Sequence, residues 1–177
     1  MKGFEICFFR HGIAIDNDDP SVASDAERPL TDEGIRKTRA AAKGLNELGI
    51  SFDKILTSPW VRAAQTAAIL SEVLLLPAPQ ELAELAGDRT PPELVRALAG
   101  NHGKRTLLVG HEPLLSATVR HILGGEWSLD LKKSGACLVF VDAIPPRRSA
   151  TLLWLATSRQ LRLAGKARGK GLEASTE

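Results

Sequence analysis

Arg10-His11-Gly12 follows directly on an apolar run, Phe4-Glu5-Ile6-Cys7-Phe8-Phe9, near the start of the chain. A buried strand that ends in Arg-His delivers a guanidinium and an imidazole together: one holds an anion and the other can attack it. Gly12 lets the backbone turn and approach a ligand without a Cβ in the way. Two further segments carry related chemistry. Leu56-Thr57-Ser58-Pro59 runs into a helix whose first turns hold Arg62, Gln65 and Thr66, and Thr106-Leu107-Leu108-Val109-Gly110 runs into His111-Glu112-Pro113. Singly, Arg62 reads as an ordinary helix charge and His111 as a loop histidine. At three successive strand ends, two arginines, two histidines and a helix N-terminus make an anion site with a nucleophile in it.

The elements that must position these groups alternate in type. Phe4–Phe9 reads as a first strand and residues 16–28 as a polar loop. Pro29-Leu30-Thr31 opens a helix with Thr31 as N-cap and Asp32 and Glu33 at the positive end of its dipole. Ile35, Ala42, Leu45 and Leu48 form the apolar face of that helix, and Gly49 stops it. Phe52–Thr57 is a second strand, after which Ser58-Pro59 supplies the N-cap and first-turn proline of a helix reaching about Leu70. Thr90-Pro91-Pro92-Glu93 is a capping box. The strand at 106–110 leads into a helix that ends near Gly124-Gly125, and strands at 136–141 and 150–156 flank the turn at Pro145-Pro146. This alternation predicts an α/β fold: a three-layer α/β/α sandwich, its central sheet mostly parallel, with ligands beyond the carboxyl ends of the strands.

The chain has 177 residues, enough for one domain with a substantial core, and it is 44% hydrophobic and 25% charged. No stretch approaches the roughly 18 consecutive apolar residues of a membrane span. Met1-Lys2-Gly3-Phe4 carries no signal-peptide apolar region, so a cytoplasmic location is expected. Cys7 and Cys137 lie in apolar runs and read as small buried hydrophobes. His102, in a polar turn, and His121, late in a helix, read as structural or surface residues. The net charge of +2 is uneven, because Arg159, Arg162, Lys166, Arg168 and Lys170 face only Glu173 and Glu177. Residues 1–158 are accordingly expected to form the single domain, and 159–177 a basic C-terminal tail, solvated as a strand end or flexible segment. That tail could dock an acidic partner. No aromatic residues interleave with its charges, which argues against nucleic acid.

Arg10-His11-Gly12, Arg28-Pro29-Leu30-Thr31-Asp32-Glu33-Gly34, the Ser58-Pro59-x-x-Arg62-Ala63-x-Gln65-Thr66 segment and Gly110-His111-Glu112-Pro113 together resemble the histidine phosphatase superfamily, with its phosphoglycerate mutase-like fold. The compact length is most similar to the SixA-type branch, whose members are described as protein phosphohistidine phosphatases. The resemblance implies a phosphohydrolase that forms a phosphohistidine at His11. It implies that Arg10, Arg62 and His111 hold the phosphoryl oxygens, with Arg28 and Ser58 as further ligands, and that neither metal nor other cofactor is needed. The acid that protonates the leaving group is open among Glu81, Glu84, Glu112 and Asp25, of which Glu84 and Asp25 match the family positions best. A phosphoramidate nitrogen is easily protonated, so a weakly defined acid suits a phosphohistidine substrate. Only 48 residues separate Arg62 from His111, too few for a long lid. An open cleft favours phosphate carried on a protein, or a broadly accepted small phosphoester. A phosphate-binding module without catalysis is the rival of another class.

Overall fold

The alternation of period-2 apolar strands with capped helices resolves into one six-stranded sheet. A computed structural model describes residues 3–125, 128–148 and 150–173. In chain order the elements are β1 (Phe4–Arg10), α1 (Asp32–Glu47), β2 (Lys54–Thr57), α2 (Val61–Leu74), β3 (Gln80–Glu81), α3 (Pro91–Asn101), β4 (Arg105–Gly110), α4 (Leu114–Leu123), β5 (Ala136–Val141), β6 (Ala150–Ala156) and α5 (Ser158–Glu173). The strand order is β3-β2-β4-β1-β5-β6. The first four strands pair in parallel, and β5 and β6 join antiparallel.

Side chains on β1 alternate between two cores, as the period of a strand requires. Ile6 and Phe8 pack with Leu94, Leu98, Leu115 and Val119 of α3 and α4. Cys7 and Phe9 pack with Ala41, Leu45, Ala67 and Leu161 of α1, α2 and α5. This is the three-layer α/β/α sandwich expected from the sequence. The two cysteines are buried and unpaired on opposite faces, and burial pushes the Cys137 thiol up to about 12, which leaves it an unreactive packing group.

Several local expectations are corrected by packing. β2 starts at Lys54 rather than Phe52, whose ring is buried against the sheet instead. In α1 the buried line is Gly34, Thr38, Ala41, Ala42 and Leu45, while Ile35 and Leu48 are 39% and 44% exposed. The small residues face the core because α1 is crowded by both α2 and α5. α2 starts at Val61 with Trp60 as N-cap and runs on to Leu74, so Ser58 is freed from capping. The capping box at α3 forms as read, Glu93 accepting from the Thr90 N–H at 2.8 Å. His102 stacks edge-on against Phe4, and His121 is exposed.

The largest correction concerns the basic C-terminus. Residues 158–173 are not a strand end or a loose tail but the helix α5, with Leu161 only 1% exposed in the α1–α2 core, while 174–177 lie outside the described residues. Glycine permits the contact: a Cβ on Gly44 would collide with the Leu161 backbone carbonyl, and Gly165 faces Gly44 in return. Ordinarily Gly→Ala in a helix gains up to about 1 kcal/mol. Here the obstacle is backbone, which cannot rotate away, so the clash should win. Gly44→Ala is expected to lower the thermal midpoint in a melting experiment; a higher midpoint would contradict this packing.

Candidate active site

Sheet register brings the three strand ends level. Arg10 of β1 pairs with Gly110 of β4, and Thr57 of β2 pairs with Val109. The ladder then continues into the site, with His11 N–H donating to Gly110 O at 3.1 Å and Ser58 N–H to Val109 O at 3.0 Å. His11, His111 and Arg62 are all nearly buried, at 6%, 2% and 5% exposure. Around them lies an open cavity of about 390 Å³, lined by Arg10, His11, Asp25, Arg28, Arg62, His111 and Glu112, together with Trp60, Gly87 and Lys133.

The hydrogen bonds of His11 assign its tautomer. Nδ1 lies 2.7 Å from Gly12 O, which can only accept, so Nδ1 carries the ring hydrogen. Nε2 accepts from Arg62 Nε at 3.2 Å, so it presents a lone pair. Burial pushes the ring pKa down to about 3; the bond to Gly12 opposes this, and Arg62, Arg10 and Lys133 reinforce it. The result is a neutral imidazole whose bare nitrogen faces a guanidinium. Gly12 proves necessary for packing rather than for ligand approach, since a Cβ there would strike Thr38 Oγ1 and lie 3.2 Å from Leu30. Its N–H donates to Thr66 Oγ1, and Gln65 Oε1 accepts from Leu30 N–H, so these two motif residues brace the loop.

His111 is poised differently. Its Nε2 lies 2.8 Å from Ser58 Oγ, which already accepts from Trp60 N–H. That hydroxyl keeps one hydrogen to donate and a second lone pair to accept with, so the contact fixes the orientation of the ring and fits either tautomer. Ser58 is fully buried and does not line the cavity; the residue expected to touch phosphate stands behind His111 and orients it. Burial, then His11 and Arg62, push the His111 pKa down to about 2. Trp60 packs on this ring with centroids 4.5 Å apart and lies 4.8 Å from the Arg62 guanidinium carbon.

Among the described residues the buried side-chain nitrogens or oxygens without a partner are Arg10 Nε and His111 Nδ1. Leaving such a group unpaired costs about 1–3 kcal/mol, and both belong to residues of this one cavity. Arg10 Nε is a donor, and His111 Nδ1 becomes one when Ser58 gives its hydrogen to Nε2, so an oxyanion would satisfy both. Arg10 is otherwise anchored through Nη1 to Leu131 O at 2.7 Å.

The carboxylate candidates separate. Glu81 and Glu84 lie outside the cavity lining. Asp25 bridges Arg28 Nη1 at 2.6 Å and Arg62 Nη2 at 2.9 Å, and its backbone oxygen also takes a hydrogen bond from Arg62. Burial alone would raise its pKa, but the two guanidiniums outweigh it and hold the carboxyl below the usual range. Glu112 goes the other way: burial pushes it up, partly offset by a 2.8 Å hydrogen bond from Ser116 Oγ. Asp25 thus braces the arginines as an anion, and Glu112 is the carboxyl better able to carry a proton.

Sequence reasoning missed Trp60, Gly87 and Lys133. Trp60 was within reach, as it sits inside the Ser58–Arg62 motif. Lys133 had no strand-end signal, because its turn is built by tertiary bonds: Ser134 takes φ +55 and its N–H reaches both Arg10 O and His11 O.

A cavity of this kind at the strand ends of an α/β/α sandwich defines a phosphatase. Residues 6–87 match the model of the histidine phosphatase superfamily (branch 1). The chain is 40% identical over 136 residues to an uncharacterised protein of Picosynechococcus, spanning 74% of this chain and 81% of that one. It is 30% identical over 130 residues to the phosphohistidine phosphatase SixA of Escherichia coli, spanning 69% of this chain and 76% of the relative. A solved structure of the protein histidine phosphatase SixA with tungstate superposes with a TM-score of 0.78 at 26% identity, over 89% of this chain and 99% of that one. The chain belongs to the histidine phosphatase superfamily, in its SixA-like branch.

The depressed histidines fix a pH dependence of stability. Both rings have folded pKa values far below the unfolded value of about 6.5, so between about pH 3 and 6.5 the unfolded chain binds more protons. The stability they contribute is complete above pH 6.5 and is lost as pH falls toward 3. Denaturant midpoints are expected to drop from pH 7 to pH 4, while the His11 ring resonances stay unshifted from pH 8 to pH 5. A His11 titration centred near 6.5 would refute the buried neutral ring.

Proposed function

We propose that this phosphatase removes phosphate from phosphohistidine carried on a protein, through a phosphohistidine intermediate at His11. The observation that carries the reading is the tautomer of His11: a neutral ring, hydrogen on Nδ1, with its Nε2 lone pair turned toward Arg62. A phosphoryl group entering the cavity takes the Arg62 guanidinium as an oxygen ligand and releases that lone pair for attack. Arg10 Nε, Arg62, Arg28 and His111 Nδ1–H then surround the transferring group and stabilise its charge.

The balance of the reaction is simple. His11 Nε2 forms a bond to phosphorus as the bond from phosphorus to the substrate imidazole breaks, and that leaving nitrogen takes up a proton. Glu112, half-buried in the cavity wall with a raised pKa, is the proposed donor. Water then attacks phosphorus, giving a proton to the Glu112 carboxylate, and His11 departs as a neutral imidazole. Asp25, already paired with two guanidiniums, holds them in place at the cavity wall.

Two observations support protein-borne phosphate. The 48 residues between Arg62 and His111 are taken up by the rest of α2, by β3, α3 and β4 and their short links, so the cavity stays open to a large partner. The relative from Escherichia coli also bears the name of a phosphohistidine phosphatase.

His11→Ala is expected to abolish turnover and the acid-labile phosphate trapped on the protein during reaction; normal turnover would sink the proposal. Glu112→Gln should slow hydrolysis of a phosphate ester such as p-nitrophenyl phosphate by about 10²-fold or more, and of a histidine-phosphorylated protein far less, because nitrogen is the easier group to protonate. Comparing the intact protein on that phosphoprotein and on sugar phosphates separates this reading from a general phosphomonoesterase.

A further inference from the structure

Beside the catalytic cavity lies a second one of about 400 Å³ that shares Arg10 and Lys133 with it. Its charged lining is entirely basic: Arg10, Lys37, Lys132, Lys133 and Arg162. These residues come from β1, α1, the turn before β5, and α5, so they are far apart in sequence and gathered by the fold.

The groove is built, not incidental. The Lys132–Ser134 turn is locked to the end of β1 by Ser134, whose N–H reaches Arg10 O and His11 O at 3.1 and 3.2 Å and whose Oγ lies 2.9 Å from Thr38 Oγ1. Its left-handed backbone at φ +55 is uncommon for serine. Arg162 is delivered by α5, which is seated through Leu161 and Gly44. Acidic partners reduce the charge without cancelling it: Glu33 pairs with Lys37 at 2.6 Å, and Asp130 pairs with Lys132 and, at 3.6 Å, with Arg10.

We propose that this groove holds acidic side chains of the phosphorylated protein that flank the residue being dephosphorylated. The inference rests on the reading of protein-borne phosphate above and narrows its substrate class to phosphohistidine in an acidic surround. A protein fits better than a small bisphosphate because the rim cations are long and solvated, Lys132 being 65% exposed. Solvated lysines grip a single small anion weakly. Many of them on one face steer and orient a charged macromolecule. The shared Arg10 and Lys133 set the two cavities side by side, the phosphoryl group in one and the carboxylates in the basic groove beside it.

The test uses two peptides phosphorylated at a single histidine, identical except that one has Asp and Glu around the histidine and the other Asn and Gln. The intact protein should favour the acidic peptide by about tenfold in kcat/KM, and added sodium chloride should erode that preference. The double reversal Lys132→Glu with Arg162→Glu should abolish it while leaving p-nitrophenyl phosphate within about twofold. Should the double variant unfold, Lys132→Glu alone, on an exposed turn residue, should still reduce the preference. Equal rates on both peptides would overturn the inference and leave the phosphohistidine reading standing, as would equal losses on peptides and p-nitrophenyl phosphate after charge reversal. Hydrolysis of p-nitrophenyl phosphate with neither peptide turned over would overturn both.

Discussion

A histidine buried among guanidiniums has no stable choice but to be neutral, and the hydrogen bond from its Nδ1 to Gly12 O decides which nitrogen is bare. The rest of the site depends on that single bond. It requires the Gly12 carbonyl to turn back beneath the ring, which in turn requires Gly12 to sit tight against Thr38 of α1, where no Cβ fits. Arg62 can then face Nε2, and the other cations gather round without protonating the ring. Arg62, Arg10 and Lys133 each lower the ring's proton affinity further, so the charges that line the cavity also keep that nitrogen unprotonated.

Positive charge at this density would repel itself without a counterweight. Asp25 supplies it by spanning Arg28 and Arg62, and Asp130 does the same more loosely at Arg10. Such pairs give little net stability on an exposed surface, so their value lies in geometry: the guanidiniums are held apart and aimed. Ser58 acts in a parallel way on His111, holding the ring in place through its Nε2. Two histidines five ångströms apart between ring centroids are thereby each fixed by a partner of their own, Gly12 O for His11 and Ser58 Oγ for His111.

Much of this could be read along the chain. The apolar runs of β1 and β4, the Thr31 cap, the capping box at Thr90 and the strands at 136–141 and 150–156 follow from local pattern, and the structure keeps them. Arg10, His11, Arg62 and His111 stood out because strand ends of an α/β sheet collect ligands. Other features were not legible for a physical reason. Ile35 and Leu48 looked like the core face of α1, but α2 and α5 approach so closely that small residues won the interior. The C-terminal basic run looked solvated because its charges hide a single anchoring residue, Leu161, and the glycine it needs is more than a hundred residues away.

The sequence by itself determined the layers, the strand ends that meet at the cavity and the identity of the main cationic and imidazole groups lining it, because each is encoded in the periodicity and end signals of one contiguous segment. Only the tertiary structure decided which nitrogen of His11 is bare, which carboxyl can hold a proton, that Ser58 stands behind the site, that Lys133 lines it and that Arg162 lines the groove beside it. Those properties arise from burial and from hydrogen bonds between distant segments, and no local pattern contains them.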